Sequence, residues 1–208
     1  MDDHQTPRHD RRRRGLLALL MAGTALIAAT GATMSLALFT SQTAVAGNAF
    51  TAGTIILTVN PATAFLTSAA MMPGDAVPAG TPGQAVAISN TGTGALRYAI
   101  TGTSTDADAK HLNTVLLLTV RQPDGNAGAS CANFTGNILF SGVVPTAGAN
   151  MVGDPTAGFQ AGDRSLAAAV SETLCFKASL PIGTGNGFQG AASTYTFTFT
   201  AEQTANNP

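Results

Sequence analysis

Few residues in this chain are of a type and spacing that could do chemistry. Beyond the first fourteen positions there is one histidine, His111, two cysteines, Cys131 and Cys175, and two glutamates, Glu172 and Glu202. A hydrolytic zinc usually takes three protein ligands with His prominent, and the paired-His helix motif needs two histidines four residues apart. His111 alone supplies neither. Asp106, Asp108 and His111 form a short polar cluster whose Asp-x-Asp start matches a calcium loop. Such a loop continues with more oxygen ligands, a Gly and a closing Glu, whereas here Lys110 intervenes, so the stretch reads as a solvated loop with no metal.

Other motifs reduce to structure in the same way. Gly185-Asn-Gly-Phe-Gln-Gly190 spells GxGxxG but precedes a Thr/Phe strand pattern, so it aims no helix N-terminus at a phosphate. Glu172 and Glu202 stand 30 positions apart, with no pattern that pairs them for acid/base work. Asn133-Phe-Thr135 is a glycosylation sequon, informative only in a host that modifies such sites. Arg97 lies between Leu96 and Tyr98 in an alternating run, which places it on the outward face of a strand. No residue set here is assigned a catalytic, cofactor-binding or metal-binding role.

The two cysteines have a different reading. An even count in an exported chain favours a Cys131–Cys175 disulfide, closing a loop that stabilises the fold by about 4 kcal/mol on chain-entropy grounds. Two buried free thiols are the alternative, since neither cysteine sits in a CxxC or beside a histidine.

The elements that must position these residues are strands. Ser193-Thr-Tyr-Thr-Phe-Thr-Phe-Thr-Ala201 puts Tyr195, Phe197 and Phe199 on one face and threonines on the other, the period of a half-buried strand. Similar runs occur at 54–60, 84–89, 96–101, 114–121, 137–144 and 174–180, separated by Pro/Gly/Asn turns such as Pro82-Gly83 and Asn90-Thr-Gly-Thr-Gly94. Ser165 to Val170 is the one helical candidate, short enough to be a turn. Many short strands with this punctuation predict an all-β, antiparallel β-sandwich of jelly-roll type over residues 54–208.

Composition sets the compartment. Of 208 residues only 10% are charged, and five of the ten basic side chains, Arg8 and Arg11 to Arg14, precede Gly15. The remainder carries five basic and eight acidic groups, a balance that disfavours nucleic acid as a partner. The Arg run leads into an apolar stretch, Gly15 to Ala29, and then Ser35-Leu-Ala37, small residues flanking a bulkier one as signal peptidase requires. This predicts a signal peptide over 1–37, cut between Ala37 and Leu38, and a secreted product. An uncleaved anchor, from 25 uncharged residues ending at Phe39, and a twin-arginine route are the alternatives, and membrane contact would come only through this leader.

After Arg14 the next charged residue is Asp75, so Leu38-Phe-Thr-Ser-Gln-Thr-Ala-Val-Ala-Gly-Asn-Ala-Phe50 has no charged side chain. Edge strands are normally blunted by Lys, Pro or inward charge. This segment has none, and Phe39, Thr43, Val45 and Phe50 suit an extended chain. It reads either as a first strand of its own sheet or, over residues 38–53, as a strand lent to a neighbouring copy, a heterologous contact that propagates into a filament unless it closes into a ring.

The stretch Ala37-Leu-Phe-Thr-Ser-Gln-Thr-Ala-Val-Ala-Gly-Asn-Ala-Phe-Thr-Ala-Gly-Thr-Ile-Ile-Leu-Thr-Val59 resembles the leader junction and first strand of the TasA/camelysin family. Met72-Pro-Gly-Asp75, Ile88-Ser-Asn-Thr-Gly-Thr-Gly-Ala-Leu-Arg-Tyr98 and the ending Thr196-Phe-Thr-Phe-Thr-Ala-Glu-Gln203 are similar too, while residues 103–173 match only loosely. The resemblance implies a jelly-roll subunit of an extracellular fibre in a biofilm matrix. It further implies export through a SipW-type signal peptidase and a donor strand beginning at Leu38 that completes the sheet of the next copy. The camelysin name also implies a secreted metallopeptidase, for which the ligand set above is missing. A monomeric or membrane-tethered surface binding module, with the segment paired in its own sheet, is the third reading.

Overall fold

The computed structural model describes residues 52–124, 130–205 and 207. The expected leader, with Ser35 and Ala37, and the expected assembly strand, with Leu38, Phe39, Thr43, Val45 and Phe50, lie outside the described residues.

Ten strands form two antiparallel sheets. In chain order they are β1 Leu57–Asn60, β2 Ala76–Val77, β3 Gln84–Asn90, β4 Leu96–Ser104, β5 Leu117–Gln122, β6 Asn137–Gly142, β7 Ala149–Val152, β8 Arg164–Leu166, β9 Ser171–Ser179 and β10 Tyr195–Gln203. One sheet has the order β1-β3-β9-β5-β6, with β2 also on β9; the other has β10-β4-β7, with β8 also on β4. Each strand pair in both sheets is antiparallel.

The period-two runs become strands because alternate side chains meet in one core between the sheets. Val86 and Ile88 of β3, Val120 of β5, and Leu174 and Phe176 of β9 come from the first sheet. Leu96, Tyr98 and Ile100 of β4 and Met151 of β7 come from the second. Each such side chain removed from water contributes about 1.5–3 kcal/mol before the entropy of ordering it. Phe65, on the crossing between β1 and β2, wedges between Phe176 and Phe197, with ring centroids 5.3 and 5.5 Å away. Gly102 has a packing reason within β4: a Cβ there would lie 2.6 Å from Met151 Sδ.

The structure departs from the sequence reading in specific places. The helical candidate at Ser165 to Val170 is instead the end of β8 followed by a turn, in which the Val170 N–H donates to Ala167 O at 3.2 Å. Leu166 is claimed by the core through its register opposite Leu96, and six residues are too few to nucleate a helix against that pull. The run expected from Thr114 begins as a strand only at Leu117, after a 3₁₀ turn over Leu112–Thr114. Three short strands, β2, β7 and β8, carry too few residues to show a period.

Candidate functional site

The residues with chemical potential are spread over the sandwich, and each is held by a local structural task. Asp106 accepts the His111 N–H at 2.8 Å and also contacts His111 Nδ1, which pins a left-handed residue at φ 59°. Asp108 accepts the N–H groups of Ala192 at 2.7 Å and Lys110 at 3.1 Å. Those backbone donors, Ala192 first, hold its carboxyl below the usual range. The polar cluster is therefore a loop clamp, its carboxylates spent on main-chain donors. Among the described residues, no group of three His, Cys, Asp or Glu side chains is placed to hold a metal ion.

The two glutamates lie on different sides of the second sheet. Glu202, opposite Arg97 across β10 and β4, binds the Arg97 guanidinium and accepts from Asn207 Nδ2 at 2.8 Å and Gly158 N at 3.2 Å. The hydrogen bond from Arg97 is the main cause of its lowered carboxyl pKa. Arg97 points outward as its place in the strand predicts, yet it is only 5% exposed, with Glu202 and Asn207 laid against it.

Glu172 faces the interior, where Tyr98 donates its hydroxyl at 2.7 Å and Arg164 Nε lies 2.9 and 3.0 Å from the two carboxylate oxygens. This triad ties β9 of one sheet to β4 and β8 of the other. Burial first, and then the charge of Glu172, push the Tyr98 hydroxyl well above the ordinary phenol range. Arg164 keeps contact with water through a cleft of about 220 Å³ that it shares with Gln122 and Pro123. The sequence showed Tyr98 as a core residue, but nothing in it joined Tyr98 to Glu172 and Arg164. The one signal was Glu172, in step with the inward Leu174 and Phe176; Arg164 lies in a strand too short to show a period.

Cys131 and Cys175 are bonded, with Cα atoms 5.5 Å apart. Cys175 lies on the outer face of β9, between the inward Leu174 and Phe176, so the bond fastens the turn after residue 130 across that face. Phe134 in the same turn sits beneath two cations, Arg121 at 5.2 Å and Lys177 at 5.4 Å from its ring centroid. Asn133 and Thr135 of the sequon are exposed on this turn. The GxGxxG stretch forms a 3₁₀ turn, Asn186–Phe188, between β9 and β10, with no helix for a phosphate to cap.

What remains open is backbone. Among the described residues β10 pairs only with β4, as do the short β7 and β8 on its other side, while β1 pairs only with β3 and β6 only with β5. β10 is nine residues long, and its alternation leaves Tyr195, Phe197, Phe199 and Ala201 partly exposed on the inner face and Thr196, Thr198 and Thr200 exposed on the outer. It bears no Lys or Pro, and its one charge, Glu202, is neutralised by Arg97. A long edge with a single, paired charge and no Lys or Pro is what natural sheets avoid unless another strand covers it.

No protein-family model matches the chain, and no curated protein matches it.

Proposed function

We propose that this protein is the secreted structural subunit of an extracellular fibre of the biofilm-matrix type. In this reading a signal peptidase cuts between Ala37 and Leu38, and Leu38 to Phe50 of one copy completes a sheet of the next, so that copies join head to tail. The partner is a second copy of the same chain, and the protein is not an enzyme. The carrying observation is the unprotected edge of β10, nine residues with half-covered aromatic side chains, in a chain whose expected mature start, Leu38 to Phe50, is uncharged and has strand composition. Connections that cross repeatedly between sheets, β3 to β4, β4 to β5 and β9 to β10, support the jelly-roll description.

The test is electron microscopy of two purified chains, one beginning at Leu38 and one lacking residues 38–50. Fibres from the first and none from the second are expected. Equally abundant fibres from both would remove the donor assignment. Proteolysis abolished by a chelator and traced to a mapped ligand would replace the structural reading with a metallopeptidase, and a secreted form that retains the leader would favour a tethered module.

A further inference from the structure

The two ends of the sandwich are distinguishable, and the chain enters at one of them. Thr54 O accepts the N–H groups of Thr93 and Gly94 at 2.8 and 2.9 Å, and Ile56 O accepts that of Thr91 at 2.9 Å. Ala52 therefore leaves the domain beside the β3–β4 turn, at the Asn90 end. β10 runs the other way from β4, starting opposite Ser104 and finishing opposite Leu96 at the Asn90 end.

These positions fix a polarity. If residues 38–51 folded along their own β10, they would run from the Ser104 end towards Ala52 at the Asn90 end, in the same direction as β10, giving a parallel pair. If a donor copy stacks its Asn90 end on the Ser104 end of an acceptor, the same segment crosses the acceptor from its Asn90 end to its Ser104 end. It then lies antiparallel to the acceptor's β10, as every other pair in both sheets does. Fourteen extended residues reach about 46 Å and β10 spans about 30 Å, so the segment covers the edge with several residues to bridge the junction.

The apolar surface fits the same stacking. Ile182 and Met72, 86% and 69% exposed, sit at the Ser104 end, where Gly74 N–H donates to Leu180 O at 2.8 Å. Ile56, Val170 and Ile55, 47%, 42% and 36% exposed, sit at the Asn90 end. In that stacking the two groups would face each other across the junction between copies. Resting on the fibre reading above, we infer that the acceptor edge is β10, that the incoming segment pairs with it antiparallel, and that the Met72/Ile182 tip of the acceptor meets the Ile55/Ile56 end of the donor.

The test reads polarity without knowing the register. Acceptor chains carrying Thr196→Cys or Thr200→Cys are mixed with donors carrying one cysteine at each position from 40 to 48, assembled and oxidised, and between-copy cross-links are quantified by mass spectrometry. The best donor position should move towards the N-terminus as the acceptor cysteine moves from Thr196 to Thr200. Movement towards the C-terminus, or cross-links that form instead to Thr58→Cys in β1 or Ser141→Cys in β6, would overturn the inference while leaving the fibre intact. Absence of fibres by electron microscopy would overturn the functional reading itself, and this inference with it.

Discussion

Replacing Arg164 by Met tests how much the fold depends on the Tyr98–Arg164–Glu172 cluster between its sheets. The change removes the cation that holds both oxygens of Glu172, whose side chain is 13% exposed, and leaves the carboxylate with Tyr98 alone. Breaking a buried pair from one side costs about 3–5 kcal/mol, and the 19% exposure of Arg164 through its cleft puts the expectation near the lower figure. At about 2–4 °C per kcal/mol for a chain of this size, Tm should fall by roughly 6–12 °C. Removing the whole triad as Tyr98→Phe, Arg164→Met and Glu172→Leu leaves no orphaned charge and should come within about 1–2 kcal/mol of the parent. Urea and thermal unfolding of the chain beginning at Leu38, followed by circular dichroism at neutral pH, compare the parent, the three single variants and the triple variant. A loss under about 1 kcal/mol for the single variant, or a triple variant as unstable as the sum of its parts, would show that the triad does not act as a coupled unit.

Three further outcomes follow from the geometry. Tyr98 stays neutral in the fold while an unfolded tyrosine ionises near pH 10, so its contribution is complete below about pH 10 and declines above it. Tyr98→Phe should flatten the alkaline fall in urea stability, with Tyr195, also raised by burial, supplying what remains; an unchanged slope refutes the assignment. Replacing Cys131 and Cys175 by Ala should cost about 4 kcal/mol under oxidising conditions, and an unchanged Tm would count against the disulfide. Gly92→Ala would place a Cβ 2.3 Å from Thr54 O, a main-chain atom that cannot rotate away. It should cost about 1–3 kcal/mol and raise amide exchange at Thr93 and Gly94, whose N–H groups bind Thr54 O; parent-like exchange would show that the turn absorbs the methyl.

The sequence by itself determined the fold class and most of the sheet. β10 was legible from its Tyr/Phe and Thr alternation, and β3, β4, β5, β6 and β9 from apolar runs between Gly/Pro turns, because period two is a local property that a buried face imposes on any strand. The Cys131–Cys175 pairing was favoured by count and context for the same reason: it needed no coordinates to be the only intramolecular pair available. Tertiary structure decided what depends on partners far apart in the chain. Arg97 reads as a solvated outward residue until Glu202, 105 positions away, is laid beside it. Arg164, Glu172 and Tyr98 look like scattered polar side chains until two sheets bring them together. β8 was hidden inside an apparent helical turn because three residues carry no period, and its strand character comes from its register on β4. Which edges stay uncovered, and at which end the chain enters, likewise depend on strand order, and strand order is set by the packing of the two faces rather than by any single run of residues.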